Sequence, residues 1–543
     1  MKELSKEHLL NRFYSAKGVA DKWMSQLQQC YELVMPNKAE FSIYRRIAGG
    51  PRSQKVFDST AIVGLKKFAA NIQQMLMPNT SYWAKFKPGP RVLKANSGIS
   101  PKEAQIECDE WREIFFKSLN KSNFANATYQ SLMEMGISTG VLLIQPGDRH
   151  NPFKFKGVPL HQVSVEQGPD DTIENVFRKY RLPARTIKET WPKGNFTTSQ
   201  LEIMNSDAYT EMELIEGCVY EPQISGSKKY CFFVYLEGAE GFIIKEYRAW
   251  SPWVVFRWNV YAGEQFGRGP IIDMLPFIRE LNQLAQFDLQ AASYNANPIF
   301  LVAAGSEVNP YTARIAPGAI IPVQQIAPGV TPIQQLQIQG QPTYSQLTRG
   351  ELVHAVNEAL NTNPIVPNTK TEKTATEVQA RQAEWLRQNQ SMAGRLEREL
   401  CRQVVDKCWR ILHSLGMVPV PVINDDDITV EFESAIKDIQ GRAEVEKALQ
   451  ATQYMANIVG PEVGAKAPQM GYQIEDVPTW VLEKMHVDPK VMRSTASKQA
   501  IMRKLQQKAQ LTEQQGQASA AQAEAIQQQA QANSQQTEGQ AAE

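Results

Sequence analysis

The stretch Phe266-Gly-Arg-Gly-Pro-Ile-Ile-Asp-Met-Leu-Pro-Phe-Ile-Arg-Glu-Leu-Asn-Gln-Leu284 is the most informative part of the chain, because it opens a long helix. Large aliphatic residues recur in it at three-residue steps, at Leu275, Ile278, Leu281 and Leu284. Such spacing places an apolar stripe on one face of a helix. The pattern predicts that the helix runs to Asn295 and stops at Asn297-Pro298, since a proline cannot continue the backbone hydrogen bonding.

The half of the chain before this helix mixes helices and strands. Three stretches have the apolar spacing of helices: residues 5–35, the segment from Asp58 to Pro78, and the region near 101–135. From there to Trp258 the pattern changes to short runs typical of strands, with turn residues between them. These runs are Val141–Ile144, Leu214–Tyr220, Tyr230–Tyr235 and Trp253–Phe256. The order predicts an α+β fold that is mostly helical.

Residues 297–343 differ from the rest of the chain in composition. Prolines interrupt them repeatedly, and their only charged residues are Glu307 and Arg314. One long helix is therefore excluded, and short strands and turns are expected. A segment with so little charge is expected to be covered by a neighbour, either another subunit or the rest of the same chain.

Two capping boxes after this stretch predict helix starts. Thr348-Arg-Gly-Glu351 is expected to open a helix that ends near Leu360, and Thr374-Ala-Thr-Glu377 to open a second one after a polar loop. The second helix has no proline before Leu415, so we expect about 40 residues, or roughly 60 Å, of helix. Alternation at Asp427–Glu433 predicts a strand. The Gln- and Ala-rich end of the chain predicts a helix that orders only when something packs beside it, and copies of itself in a ring would serve.

Charge and cysteine content limit the classes of function. The 543 residues carry 58 Lys and Arg against 57 Asp and Glu, so the chain lacks the positive charge of a typical nucleic-acid-binding protein. The six cysteines form no Cys-x-x-Cys pair, which favours reduced, buried thiols. No apolar run reaches the roughly 18 residues that cross a bilayer, and no signal-peptide pattern opens the chain. We therefore expect a soluble protein made in the cytoplasm, without membrane contact.

Motifs of catalysis are weak or missing. Gly136-Ile-Ser-Thr-Gly140 matches the Gly-x-Ser-x-Gly motif of serine hydrolases, but here a helical pattern precedes the serine and a strand follows it. The hydrolase motif needs the opposite order. No P-loop and no His-Glu-x-x-His occur in the sequence. Asp425-Asp-Asp427 is interpreted as a turn rather than a cation site. The sequence thus predicts no catalytic residue, no metal and no cofactor.

Several segments, in one collinear order, resemble the portal (head-to-tail connector) proteins of short-tailed phages. The segments are Cys30–Pro36, Leu65–Phe86, the helix–Gly–strand step Leu132–Ile144, Gly267–Asp273 with Arg279–Leu284, Thr376-Glu377 after a Lys/Thr loop, and the Gln/Ala tail. The resemblance spans essentially the whole chain. The chain departs from the family in its N-terminal details and in residues 297–343.

The resemblance implies one subunit of a dodecameric ring with the parts of a portal fold. The implied parts are a wing (1–265 with 417–440), a first stem helix (266–296), a clip (297–344), a second stem helix (345–361), a tunnel loop (362–374), a long wing helix (375–416), a crown (441–495) and a Gln/Ala-rich helical barrel or tail (496–543).

The resemblance also implies functional residues. Double-stranded DNA would pass, without sequence readout, along the tunnel-loop residues Asn368, Lys370, Thr371 and Lys373. The implied stem residues are Arg268, Arg279, Glu280 and Arg349, and the implied clip residues are Glu307 and Arg314. The implied partners are the terminase large subunit, which would carry the ATPase, a tail adaptor, and the major capsid and scaffolding proteins. The implied location is the virion, at the portal vertex that joins head and tail.

Two other classes of function stay open. One is a serine hydrolase built on Ser138, in which Ser138→Ala would abolish activity, whereas the same change would be silent in a portal protein. The other is a non-ring scaffold protein that binds DNA, which would be a monomer in solution.

Overall fold

The computed structural model divides the chain into two units, Met1–Ile436 and Lys437–Glu543. The described part covers most of the first unit and a few stretches of the second. The described residues are 4–38, 55–79, 81–90, 101–224, 226, 228–296, 300–302, 333–335, 342–360, 390–420, 423, 427–432, 444–454, 457, 477 and 480–481.

Four helices open the first unit. They are α1 (Lys6–Val34), α2 (Thr60–Leu76), α3 (Pro101–Lys121) and α4 (Phe124–Ile137). Ser5 caps α1, because its hydroxyl accepts the His8 N–H at 3.2 Å. The buried residues of α1 follow the predicted apolar stripe, from Leu9 to Val34. The helices predicted for residues 5–35 and from Asp58 to Pro78 are therefore confirmed.

The strands of the first unit form antiparallel sheets. A five-stranded sheet has the order β4 (Val163–Gln167), β5 (Ile173–Pro183), β6 (Glu211–Tyr220), β7 (Tyr230–Leu236) and β8 (Phe242–Arg248). Two short helices, α5 (Ala184–Thr190) and α6 (Thr198–Ser206), connect β5 to β6. A three-stranded sheet has the order β3 (Phe153–Gly157), β2 (Thr139–Pro146) and β9 (Trp253–Arg257). The α+β class and the four predicted strands are confirmed.

Strand β5 escaped prediction because charged residues hide its pattern. In β5 the sequence reads Ile-Glu-Asn-Val-Phe-Arg-Lys-Tyr-Arg-Leu-Pro, which has no clear alternation of apolar and polar residues. The Lys179 ammonium of this strand lies 3.0 Å from a carboxylate oxygen of Glu213, in β6. It also lies 2.7 Å from a carboxylate oxygen of Glu237, the residue after β7. Cross-strand pairs of opposite charge support a sheet without leaving an apolar signal in the sequence.

The strand predicted at Asp427–Glu433 is confirmed as β12 (Ile428–Phe432). It pairs with β1 (Ala84–Pro88), in a register that sets Ala84 opposite Phe432. The ring of Trp83 stacks on the ring of Phe432, with 6.2 Å between the centroids. The C-terminal part of the first unit is therefore tied back to its N-terminal part.

Buried aromatic and sulfur-containing side chains fill the core. Trp409 is fully buried, and its ring meets the ring of Phe86 edge-on at a centroid distance of 5.2 Å. All six cysteines are free and buried, which confirms that prediction. Burial raises the pKa of the Cys30 thiol to about 12. Among the described helices, none is both long and apolar enough to cross a membrane.

Two long helices follow the sheets. They are α7 (Pro270–Ala296) and α8 (Pro342–Ala359). Helix α7 ends where the sequence predicts, but it begins at Pro270 and not at Phe266, so the predicted start is corrected. Between them, β10 (Phe300–Val302) pairs antiparallel with β11 (Ile333–Gln335). The predicted start of α8 at Thr348 is wrong, because the helix begins six residues earlier, at a proline. Proline suits the first helical position, where its missing N–H costs nothing.

The next helical region is not one regular α-helix. It consists of α9 (Gln390–Leu396), a π-helical segment (Glu397–Arg402) and α10 (Gln403–Ser414), which follow one another without a break. The prediction of regular helix up to Leu415 is therefore corrected at the π-helical segment. There the wider turn accompanies a tertiary contact, since Glu399 bonds to Arg257 of β9. The predicted start at Thr374 lies outside the described residues.

In the second unit, residues 444–454 are helical. The remainder of the predicted crown is outside the described part apart from single positions, and the tail at 496–543 is wholly outside it. The same holds for several predicted functional residues, namely Glu307, Arg314, Asn368, Lys370, Thr371 and Lys373.

Candidate functional site at the base of the helix pair

Helices α7 and α8 pack against each other, and we call them the helix pair. Arg349 of α8 connects this pair to α2. Its guanidinium lies 2.9 Å from a carboxylate oxygen of Asp58 and 3.8 Å from one of Asp288, which belongs to α7. The other oxygen of Asp58 accepts the N–H of Thr60, the first residue of α2, at 2.8 Å. One arginine thus links the helix pair to the segment just before α2.

Asn282 of α7 makes a second link to the segment before α2. Its side-chain oxygen accepts the N–H groups of Phe57 at 2.7 Å and Asp58 at 3.2 Å. Its side-chain nitrogen donates to the Lys55 carbonyl at 2.9 Å. A single amide therefore satisfies three backbone groups. The sequence gives no signal for this role, because the partners lie more than 220 positions away.

The chain enters α7 through a tightly bonded turn, residues 266–269. The Ser138 hydroxyl donates to the Gly267 carbonyl at 2.6 Å, and the Gly267 N–H donates to the Thr139 hydroxyl at 2.9 Å. The Gly269 N–H donates to the Ile137 carbonyl at 3.1 Å. Three hydrogen bonds therefore hold the turn against the junction between α4 and β2. They fix the direction of α7 relative to the three-stranded sheet.

Gly269 is a position of close backbone approach. A Cβ atom at this position would lie 2.2 Å from the carbonyl oxygen of Gly136 in α4. The obstacle is backbone, which cannot swing aside as a long side chain can. Glycine is therefore required here by space, and not by an unusual backbone angle.

Arg268 lies ahead of α7, although the sequence placed it within the first stem helix. Its guanidinium binds both carboxylate oxygens of Glu264, at 2.8 and 2.7 Å. The same guanidinium lies over the rings of Trp23 and Tyr261, at 5.2 and 5.5 Å from their centroids. The hydrogen bond from Arg268 lowers the pKa of the Glu264 carboxyl. Arg268 therefore clamps the turn against α1 rather than lining a helix face.

The four predicted stem residues do not share one set of partners. Arg349 meets Asp58 and Asp288, and Arg268 meets Glu264. Arg279 and Glu280 are exposed on α7. The structure thus places two of the four at joints between elements and two on an open face.

Ser138 has the surroundings of a structural residue. It is fully buried, it follows α4 and precedes β2, and its proton is used by the Gly267 carbonyl. A nucleophilic serine needs a base within hydrogen-bond reach. Ser138→Ala would remove the buried hydrogen bond to Gly267, and the expectation that the change is silent in a portal protein stays a prediction. Among the described residues, no group of three His, Cys, Asp or Glu could hold a metal ion.

Glu134 is a buried carboxyl close to the same junction. It belongs to α4 and accepts bonds from the Tyr31 hydroxyl and, at 3.3 Å, from the Leu160 N–H. Burial raises its pKa from the ordinary value of 4.5 to about 8, against the opposing effect of the Leu160 N–H. Lys38 lies 3.4 Å away and favours the charged form. That lysine is partly exposed, so solvent screens its effect and burial dominates.

The raised pKa of Glu134 predicts a loss of stability with rising pH. The folded state keeps a proton that the unfolded state releases, so the contribution is complete below pH 4.5 and disappears as the pH approaches 8. The slope is at most about 1.4 kcal/mol per pH unit. We expect Glu134→Gln, which keeps the acceptor oxygen but cannot ionise, to flatten the dependence of the free energy of unfolding on pH. Urea unfolding at about pH 5.5 and about pH 7.5, which both lie between the two pKa values, measures this dependence.

The matched control is Glu110→Gln on the exposed face of α3. It should leave the pH dependence as in the natural chain. If Glu134→Gln changes the free energy of unfolding, relative to the natural chain, by the same amount at both pH values, then Glu134 carries the same charge in the folded and unfolded states.

The exposed side of the helix pair carries large apolar residues. On α7, Phe277 is 43% exposed, Phe287 53% and Leu289 58%, and on α8 Leu347 is 65% exposed. Leu275, Ile278 and Leu281 of the same helix are buried. A helix that is apolar around most of its circumference is typically buried on all sides. This face therefore indicates a covering partner.

Comparison with known proteins agrees with the resemblance in the sequence. A model of the family "Bacteriophage head to tail connecting protein" matches residues 6–472. A protein of Bordetella phage BPP-1 named "Probable portal protein" is 19% identical over 458 residues, which cover 80% of this chain and 79% of that protein.

Two solved structures are also similar at low identity. A chain of the virion of a native gene transfer agent (GTA) particle is 11% identical, with a TM-score of 0.36, over 79% of this chain and 96% of that chain. A chain of the neck of an empty GTA particle, computed with C6 symmetry, is 10% identical, with a TM-score of 0.36, over 74% and 91% of the two chains. These TM-scores are too low to support an argument. The family match, in contrast, covers most of the sequence, and the chain therefore belongs to the bacteriophage head to tail connecting protein family.

Proposed function

We propose that copies of this chain assemble into a closed ring that forms the DNA channel between the head and the tail of a phage particle. The observation that carries the proposal is the exposed apolar face of the helix pair, at Phe277, Phe287, Leu289 and Leu347. Membership of the head-to-tail connecting family and the relative named as a probable portal protein support the same reading.

The geometry of the face favours contacts of head-to-tail type. Apolar residues lie on α7 and α8, whereas the base of the pair is fixed to the sheet by the turn at 266–269. A rigid base gives each subunit one fixed direction for its helix pair. Each copy then meets its two neighbours through two different faces, so the same rotation relates every copy to the next. A ring forms when this repeated rotation closes. We propose a dodecamer.

In the proposed particle the parts of the chain have separate roles. The wing is 1–265 with 417–440, joined by the long helix 375–416; the stem is 266–296 with 345–361; and the clip is 297–344. The tunnel loop 362–374 faces DNA, and the crown (441–495) and the barrel or tail (496–543) follow. Terminase and later a tail adaptor dock at the clip, with Glu307 and Arg314, and capsid and scaffolding proteins surround the ring at the portal vertex.

The charge balance suits a channel through which DNA slides. With 58 basic and 57 acidic residues, a ring of such chains is close to neutral. A strongly basic channel would bind phosphates tightly and release counterions at each contact, which would hold the DNA in place. A polar wall with few lysines guides a duplex without sequence readout.

Ring assembly is tested by the double change Phe287→Asp with Leu347→Asp. Each aspartate would place a charge in an apolar contact, so we expect the concentration needed for ring formation to rise at least about tenfold. Light scattering and negative-stain images measure the oligomer. Tyr209→Asp, at a residue 76% exposed on another part of the surface, is the matched control and should form rings. Rings that form equally well with the double change would exclude this face as the contact.

Transport of DNA is tested separately by changing Lys370 and Lys373 to Ala. Two lysines per subunit attract phosphates over about 8 Å at physiological salt, without reading bases. We expect packaging efficiency or DNA retention to change while ring assembly and the unfolding midpoint stay as they are. Packaging assays with purified rings measure the first effect. A double variant that forms no rings would make the loop a structural joint, and one with unaltered packaging would mean that the lysines do not meet DNA.

A further inference from the structure

Helix α2 presents a basic stripe to solvent, formed by Val63, Lys66 and Lys67. The 17 residues of this helix include the two lysines and no acidic residue. Both lysines are exposed, and Val63, three and four positions before them, is 45% exposed. Residues with this spacing share one face of a helix. Among the described residues, neither lysine has a carboxylate within ion-pair distance.

The outer side of α8 carries an acidic stripe. It consists of exposed residues at helical spacing, which are Leu347, Glu351, His354 and Glu358. In the described part of the chain, Glu351 has no cationic partner. Glu358 lies 3.7 Å from a ring nitrogen of His354, but these side chains are 72% and 69% exposed, so solvent screens the contact. Arg349, the arginine of this helix, is bound to Asp58 instead.

The two stripes do not meet within one chain. Helices α2 and α8 contact each other through their buried sides, where a Cβ atom at Gly64 would lie 2.5 Å from the Leu360 side chain. Leu360 directly follows α8 and is fully buried. The stripes lie on the exposed sides of the same two helices. The charges of the basic and the acidic stripe therefore stay unpaired in a single copy.

Opposite charges on separate faces suit a contact in which two copies meet through different faces. An apolar residue accompanies the charges in each stripe, Val63 in one and Leu347 in the other, so each stripe also has apolar surface to bury. Leu347 belongs to the exposed apolar face of the helix pair as well, and the acidic stripe continues that face. A DNA backbone would match the lysines, but it would leave Val63 and the acidic stripe without a partner.

We propose that the basic stripe of one copy receives the acidic stripe of the next copy, a contact that rests on the proposed ring. Lys66 and Lys67 lie against Glu351 and Glu358 of the next copy. Two copies that met through the same stripe would bring like charges together, which costs free energy. The charges therefore disfavour a twofold dimer and favour the repeated head-to-tail contact from which a ring closes.

Charge reversal in the full chain tests this contact. We expect Lys66→Glu with Lys67→Glu, and separately Glu351→Lys with Glu358→Lys, to raise the concentration needed for ring formation at least about tenfold. An equal mixture of the two variants should form rings as the natural chain does, because an acidic face then meets a basic face at every contact. Light scattering and negative-stain images measure the oligomer, and urea unfolding shows whether each variant is folded.

The matched control is Lys117→Glu with Lys121→Glu, which makes the same change of charge at exposed positions of α3. It should leave ring formation unchanged. Rings that form equally well with either stripe reversed would overturn the inference and leave the proposed ring intact. A mixture of folded variants that forms no rings would overturn it as well.

Two further outcomes separate the stripes from the other proposals. If the natural chain forms no rings at any concentration, the proposed function fails and the inference fails with it. If reversal of the two lysines changes only the retention of DNA and not the formation of rings, then the lysines meet phosphate groups, and the contact between copies is overturned.

Discussion

Gly269→Ala is expected to lower the free energy of unfolding by about 3 kcal/mol, the upper part of the range for overpacked sites. The added methyl group would lie 2.2 Å from the Gly136 oxygen and 2.5 Å from the Met135 oxygen. Both obstacles are backbone atoms of α4. To make room, the turn at 266–269 must move away from α4 and stretch the 3.1 Å bond from the Gly269 N–H to the Ile137 carbonyl.

The change should therefore affect both stability and the direction of α7. Urea unfolding measures the first, and the yield of rings in negative-stain images measures the second. Gly350→Ala is the matched control, because a Cβ atom at Gly350 in α8 meets nothing within 4 Å. In a helix this control should stabilise the chain by up to about 1 kcal/mol. A Gly269→Ala protein as stable as the natural chain would show that the turn and α4 lie farther apart than the structure has them.

Glu399→Ala is expected to cost about 3 kcal/mol of stability, because it leaves a buried arginine without its carboxylate. The Arg257 side chain is 4% exposed, and its guanidinium lies 2.8 Å from Glu399. The same carboxylate also accepts the Arg257 N–H at 2.9 Å. After the change the guanidinium keeps the Asp171 carbonyl at 2.9 Å, which provides a dipole but no opposite charge.

The exposed pair Arg185–Glu189 supplies the matched control. Its oxygen–nitrogen distance is also 2.8 Å, but both side chains are more than 60% exposed. Glu189→Ala should cost less than about 1 kcal/mol, as surface ion pairs do. Chemical unfolding of the two variants measures the difference. Equal costs for the two changes would mean that water reaches Arg257 in the folded chain.

Much of the fold could be predicted from the sequence. The apolar stripes of α1, α2 and α7 and the runs in β2, β6, β7 and β9 each lie within one short window of the chain. A stripe of this kind depends only on the period of the helix or strand, which is a property of the local backbone. The α+β class followed from the same local patterns, whereas the burial of the six cysteines was predicted from the lack of a Cys-x-x-Cys pair.

The candidate site could be predicted only in part. The resemblance of the chain to the family implied Arg349 as a stem residue, but it did not predict that Asp58 and Asp288 are its partners. Arg268 was assigned to a helix that begins two residues after it. The start of α8 was predicted at a capping box, although the helix begins upstream, at Pro342. The same residue pattern can occur inside a helix, so in the sequence it cannot be distinguished from a pattern at the helix start.

The sequence by itself determined the type and order of the long elements, since the spacing of apolar residues that marks a helix or a strand is set by residues a few positions apart. Tertiary structure alone decided three other features. These are the π-helical turn beside Arg257, the need for glycine at 269, and the raised pKa of the buried Glu134 carboxyl. Each of them depends on packing between segments that are distant along the chain, and a local pattern contains no information about which distant atoms will lie within a few ångströms.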